Sequence, residues 1–103
     1  MTIKDVRALV LAADPQAMHY MHRRGQGPYT TWRETQRIRR SADDEPELGW
    51  AFTIDRFTQV EFDEVAERIE RVLLEAQGVA YSYMVDYERD SGYIHHIFDC
   101  EGI

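Results

Sequence analysis

Apolar residues recur at steps of three and four between Phe62 and Ala76. Phe62, Val65, Ile69, Val72 or Leu73, and Ala76 fall on one helical face, and the opposite face is almost wholly Glu and Arg. Either Thr58 with Glu61, or Asp63, fits the start of this helix, and Gly78 fits its end. Each apolar side chain buried is worth about 1.5–3 kcal/mol, against about 1–2 kcal/mol of backbone entropy per residue ordered. The helix is therefore expected to be firm only when docked on a sheet. A shorter first helix is marked by Ile3, Val6, Leu9 or Val10, and Ala13. Thr2 with Asp5 forms its capping pair, and Pro15 stops it at Asp14.

Elsewhere the period is two. Tyr29–Thr35 is rich in β-branched and aromatic residues and predicts a strand. Leu48–Phe57 alternates Trp50, Phe52 and Ile54 inward with Ala51, Thr53 and Asp55 outward. Val79–Tyr87 alternates again, Glu88–Gly92 is a turn with Gly92 free to take a left-handed backbone, and Tyr93–Cys100 returns as the last strand. Ala17–His22 reads as a strand rather than a further helical turn, and Arg23–Pro28 as a turn. From Arg37 to Glu47 nearly every residue is charged or polar, which predicts a long hairpin excursion. The expectation is one α+β domain over residues 1–103, a small antiparallel sheet or sheets with two helices, in the order α-β-β-β-α-β-β.

Composition narrows the function. The chain has 103 residues, 44% hydrophobic and 12% aromatic, enough for one core. Twelve basic residues against 19 acidic give a net charge of −7, which disfavours general binding to nucleic acid through its phosphates. Lys4 is the one lysine among the basic residues. That arginine bias suits protein–protein contacts, whose bidentate bonds favour the guanidinium, and genomic base composition produces it equally well. Cys100 is the lone cysteine, so no intrachain disulfide framework exists. The opening residues lack the basic-then-apolar pattern of a signal peptide, and no stretch is long enough to cross a bilayer. The expected setting is a cytoplasm, or a particle assembled there.

Candidate chemistry is thin. His19, His22, His95, His96 and Cys100 are the plausible metal donors, but neighbours on a strand point to opposite faces, so His95 and His96 do not share a site. Asp86, Glu88, Asp90 and Gly92 suggest a calcium loop, yet Ser91 and Ile97 stand where that motif needs glycine and an acid. Cys100 has only His96 nearby to serve as a base and reads as an apolar filler. Gly25-Gln26-Gly27 is too short for a phosphate loop. Tyr81, Tyr83, Tyr87 and Tyr93 compete with Trp32, Trp50 and Phe52 for the helix-covered face, so the stripe is either all core or in part a protein interface.

Several segments together resemble a known family. They are Tyr29-Thr30-Thr31-Trp32-Arg33-Glu34, the polar Ala42-Asp43-Asp44-Glu45, Ile54-Asp55-Arg56-Phe57-Thr58-Gln59-Val60-Glu61-Phe62-Asp63, and Val85-Asp86-Tyr87-Glu88-Arg89-Asp90-Ser91-Gly92-Tyr93-Ile94-His95. The chain from Tyr29 onward, and loosely its first helix, resembles the small tail-completion, or tail-terminator-like, proteins of long-tailed phages and prophages of Gram-positive hosts. It departs in having Glu64 where the family often has proline, and Ser91 where it tends to have threonine. The resemblance implies an α+β sandwich whose copies form a ring, usually a hexamer, on the end of the tail tube. That ring stops tube growth and docks head-completion proteins, with no catalysis, metal or cofactor. It also implies an assembly role for the charged excursion, with Arg37, Arg39, Arg40, Asp43, Asp44, Trp50, Tyr87 and Tyr93 as candidate interface residues. A net-acidic lumen would let DNA pass without sticking.

A competing expectation is a small acidic inhibitor that mimics DNA and blocks a host nuclease. It needs a continuous acidic face, and the arginines interleaved with glutamates along the second helix disfavour it. An enzyme is the least supported class, because no nucleophile–base pair can be placed.

Overall fold

The structure is a computed structural model that describes residues 1–21, 27–42 and 45–103. In chain order its elements are α1 (Ile3–Ala13), β1 (Met18–His19), β2 (Tyr29–Ala42), β3 (Glu45–Thr58), α2 (Glu64–Glu75), β4 (Val79–Glu88) and β5 (Tyr93–Gly102). The five strands form one sheet in the order β1-β2-β3-β5-β4. The α-β-β-β-α-β-β order and the α+β class are those expected from the sequence. The sheet is mixed rather than wholly antiparallel, because the two-residue β1 runs parallel to β2.

The ends of the helices follow from local chemistry. Thr2 and Asp5 form a reciprocal capping box on α1: Thr2 Oγ1 accepts from the Asp5 N–H, and Asp5 Oδ2 accepts from the Thr2 N–H at 2.7 Å. Asp63, not Thr58, caps α2, its Oδ2 accepting from the Ala66 N–H at 2.9 Å. Gly78 after α2 and Gly92 in the β4–β5 turn both have positive φ, of 75° and 74°. Arg68 on α2 donates through Nε to the Ala13 carbonyl at 3.0 Å, satisfying an end group that α1 leaves unpaired.

Both helices contribute to one core on one face of the sheet. Val6, Val10 and Ala13 of α1, with Ile69 and Leu73 of α2, meet Trp32, Phe52, Ile54, Phe98 and Cys100 of β2, β3 and β5. These are the positions that alternation along the strands turns inward. Phe62 is a correction to the helical pattern. It precedes the Asp63 cap, lies outside α2 and is 77% exposed, and Ala66 takes the buried place on the α2 face. No helix is long and apolar enough to cross a membrane.

The larger correction concerns the expected Arg37–Glu47 excursion. Among the described residues it is regular strand: β2 and β3 are 14 residues each and stay paired through Arg37↔Trp50, Arg39↔Leu48 and Ala42↔Glu45. Its polarity does not signal a loop. β5 and β4 both reach only the level of Trp50, where Gly102 pairs with Trp50 and with Val79. Beyond that level no further strand lies beside the ribbon among the described residues, and both its faces are free to be polar.

Candidate assembly interface

Three features lie open on this fold. The first is the overhanging ribbon, Arg37–Ala42 with Glu45–Trp50. A two-stranded ribbon is marginally stable alone, and its ties to the body are few. The Met1 ammonium donates to the Leu48 carbonyl at 3.2 Å and Arg40 reaches Glu101 at 3.4 Å; within the ribbon, the Arg37 guanidinium lies 4.8 Å above the Trp50 ring. An exposed ion pair contributes about 0–1 kcal/mol and an exposed cation–π contact about 0.5–1 kcal/mol. Gly49 lets the ribbon leave the sheet closely packed, since a Cβ there would run into the Gly102 carbonyl.

The second feature is β4, the outer strand on the far side. Tyr83, Met84, Val85 and Tyr87 are exposed along it, Tyr87 by 60%. Monomeric proteins usually blunt such an edge with lysine, proline or a bulge. β4 contains no lysine or proline, and its ladder with β5 is uninterrupted. The third feature is an apolar rim at the base of the sheet, where Tyr87, Ile94 and Thr58 are in register. Val60 and Phe62 follow Thr58 into the loop, both exposed, and Gln59 ties that loop to the β4–β5 turn by donating to the Ser91 carbonyl at 3.3 Å.

Beneath the rim lies a buried charge cluster. Arg56 donates to Asp63 through Nε at 2.9 Å and Nη2 at 3.2 Å, and to Thr30 Oγ1 through Nη1 at 3.3 Å. Its Nη1 also lies 3.8 Å from Asp14. Asp14 ends α1 and Asp63 begins α2, so one guanidinium ties both helices to β3. Burial alone would raise the Asp63 pKa; the Arg56 bonds and the Ala66 N–H outweigh it and hold the carboxyl below 3.8.

His96 stands next to this cluster. Its Nδ1 is 2.5 Å from the Tyr83 hydroxyl, and its buried Nε2 has no partner among the described residues. Burial holds its pKa below 6.5, the Arg56 and His95 charges add to that, and Asp63 opposes it in part. A neutral buried histidine must be charged in the unfolded chain at acid pH, so stability is full above pH 6.5 and falls as pH drops below it. Asp63 adds a second loss below pH 3.8. Urea midpoints of His96→Gln should therefore change less than those of the parent between pH 7 and 5, while both lose stability together below pH 4.

The candidate interface residues fall into three groups. Arg37, Arg39 and Arg40 line the exposed ribbon with half-buried Trp50, and Tyr87 lies on the β4 edge. Asp43 and Asp44 lie outside the described residues, as do His22 and the residues from Arg23 to Gln26. Tyr93 parts from the other tyrosines: it pairs with Glu88 while Tyr87 pairs with Ile94, so it faces the opposite side of the sheet. There it meets Tyr29 and Phe57 edge-on at 6.1 and 6.4 Å, and its hydroxyl accepts from the Gly27 N–H and donates to the Gly27 carbonyl. The expected four-tyrosine stripe is therefore split between two faces.

The residues weighed for chemistry are dispersed as well. His95 faces Asp55 at 2.7 Å and stacks on Phe57, away from His96. Cys100 and His96 share a face with Phe98 between them, and burial pushes the Cys100 thiol up to about 12. Among the described residues no three His, Cys, Asp or Glu side chains are grouped to hold a metal ion. The features that pattern reading missed are the outer place of β4, the exposed Val60–Phe62 rim and the Arg56 cluster. A signal for the last exists: Arg56 sits in phase with Phe52, Ile54 and Thr58, an inward position for a charge.

No protein-family model matches the chain, and no curated protein sequence matches it. Among solved structures, the fold is similar to that of a chain in the virion of a native gene transfer agent (GTA) particle. The TM-score is 0.59 at 12% identity, over 97% of this chain and 88% of that chain. What the two share at that identity is the fold.

Proposed function

We propose that this chain is a structural subunit of a phage-like virion and, within it, a tail-completion or tail-terminator subunit. Copies close into a ring, six-membered by the family resemblance, on the end of the tail tube and present a face to the head-completion protein. The subunit is assembled in the host cytoplasm and stays in the tail. It performs no catalysis and holds no metal or cofactor. The fold likeness to a chain of the GTA particle supports the virion setting, as do the family-like segments from Tyr29 onward.

The observation that carries the assembly reading is the open pair of β4 and the ribbon on a fold whose core is otherwise covered. A strand edge left as long as β4, without lysine, proline or bulge, is used by a partner or is a liability. The alternation of Glu64, Glu67, Glu70 and Glu75 with Arg68 and Arg71 on and around the exposed side of α2 does not present the unbroken acidic face a DNA mimic needs. Purified protein mixed with its tail-tube protein and viewed in negative stain should show rings and tubes capped at one end. A species that stays monomeric by light scattering at high concentration, with tubes of unlimited length, would contradict the reading.

A further inference from the structure

We propose that the free subunit covers its β4 with the β4 of a second copy, the strands pairing antiparallel about a two-fold axis that crosses the sheet at Tyr83. The pair joins two five-stranded sheets into one. A cyclic ring contains no such two-fold, so the inference goes beyond the ring reading. It describes the subunit before it joins the tail, where a ring contact takes over the edge.

The backbone of β4 sets which groups are on offer. At one end the Gly78 carbonyl accepts from the Ile103 N–H at 3.0 Å, and at the other the Glu88 carbonyl accepts from the Gly92 N–H at 2.8 Å. Even-numbered positions therefore turn their backbone groups toward β5. Val79, Tyr81, Tyr83, Val85 and Tyr87 turn theirs off the edge, where the Asp86 carboxylate takes the Tyr87 N–H at 2.9 Å. Antiparallel pairing centred on Tyr83 sets Val79 opposite Tyr87 and Tyr81 opposite Val85. It forms about ten backbone hydrogen bonds, a number typical of a stable interface.

The side chains match in the same register. On the face away from the helices Ser82 meets Met84, Ala80 meets Asp86 and Gly78 meets Glu88, so no like charges stand opposite each other. Arg40 lines a shallow groove of about 300 Å³ with Gly78, Val79 and Ala80. Its contact with Glu101 is long, at 3.4 Å, and the two-fold brings Glu88 of the second copy to the mouth of that groove. On the helix side, Glu70 accepts from the Tyr81 hydroxyl at 3.1 Å, so Leu74, one turn further along α2 and 68% exposed, stands over the same edge. A second copy thus covers Tyr83, Met84, Val85, Tyr87 and Leu74 together. Self-pairing of the β2 edge would instead set Arg37, Arg39 and Arg40 against their own copies.

Ser82→Cys and Met84→Cys test the register at two exposed positions. Across the two-fold they form a non-hydrogen-bonded pair, whose Cα separation of about 4.5 Å suits a disulfide. The two variants are mixed in equal amounts, with oxidised glutathione as the oxidant. Buried Cys100 stays unreactive, its thiol being pushed up to about 12. The expected result is a disulfide-linked dimer in the mixture, at several times the yield of either variant alone, whose like positions lie on a diagonal of about 7–8 Å. Parent protein that is dimeric by sedimentation while the mixture links no better than the single variants pairs through another face and overturns the proposal. Parent protein that stays monomeric without tube protein overturns it too, and rings formed once tube protein is added then leave the ring reading standing. A linked pair whose parent never caps a tube upholds the two-fold contact and removes the ring reading alone.

Discussion

Replacing Arg56 by Ala should cost the fold about 3–5 kcal/mol, the usual loss when one partner of a buried ion pair is removed. The reason is what stays behind. Asp63 and Asp14 are both buried, and without the guanidinium each carboxylate faces a low-dielectric site at the junction of α1, α2 and β3. Arg56→Lys should recover little, because an ammonium cannot make the two-pronged bond to Asp63 or reach Thr30 in the same geometry. Arg56→Met combined with Asp63→Asn should lose clearly less than Arg56→Ala, since Asn keeps the α2 cap and removes one stranded charge. Urea unfolding of the four proteins at pH 7 checks the order. Equal losses in Arg56→Ala and the double variant would show that the cluster is packing alone.

Phe98→Ala should cost a further and independent 3–5 kcal/mol or so. Phe98 is fully buried between the helices and the sheet, with Tyr83 stacked at 4.3 Å. Phe62→Ala should change stability by less than about 0.5 kcal/mol, as surface substitutions do, because Phe62 is 77% exposed. The contrast matters because Phe62 matches the helical hydrophobic period and Phe98 was legible only as one alternating strand position. If Phe62→Ala leaves stability intact but weakens association, the rim belongs to the interface. If it unfolds the chain as Phe98→Ala does, the placement of Phe62 outside the core is wrong.

How far the sequence could be read depended on whether a signal was local. Thr2 with Asp5, Asp14 before Pro15, Asp63, Gly78 and Gly92 all act within a turn or two of chain, and each has the role its chemistry suggests. The alternation of Phe52 and Ile54 was equally local, and it gave the correct inward face. Misreadings came where the tertiary setting decides. Polarity from Arg37 to Glu47 reads as loop only if strands are assumed to have a buried face, and an overhanging ribbon has none. Period two continued across the turn puts Tyr93 with Tyr87, whereas the pairing Glu88↔Tyr93 sends it to the opposite side. Nothing in one strand's own residues states that β5 lies between β3 and β4, and that order is what leaves Met84, Val85 and Tyr87 on an edge. The candidate interface was thus visible as an excess of aromatics and arginines, and its geometry was not.

The central claim is that the open β4 edge and the overhanging ribbon are covered on assembly. Amide hydrogen exchange on the parent protein, dilute and then concentrated enough to assemble, tests it most directly. Protection should rise in Val79–Glu88 and in the ribbon strands Arg37–Ala42 and Glu45–Trp50 on assembly, with little change in β5, which is already paired on both sides. Oligomers that form while both segments exchange as fast as in the dilute protein would contradict it.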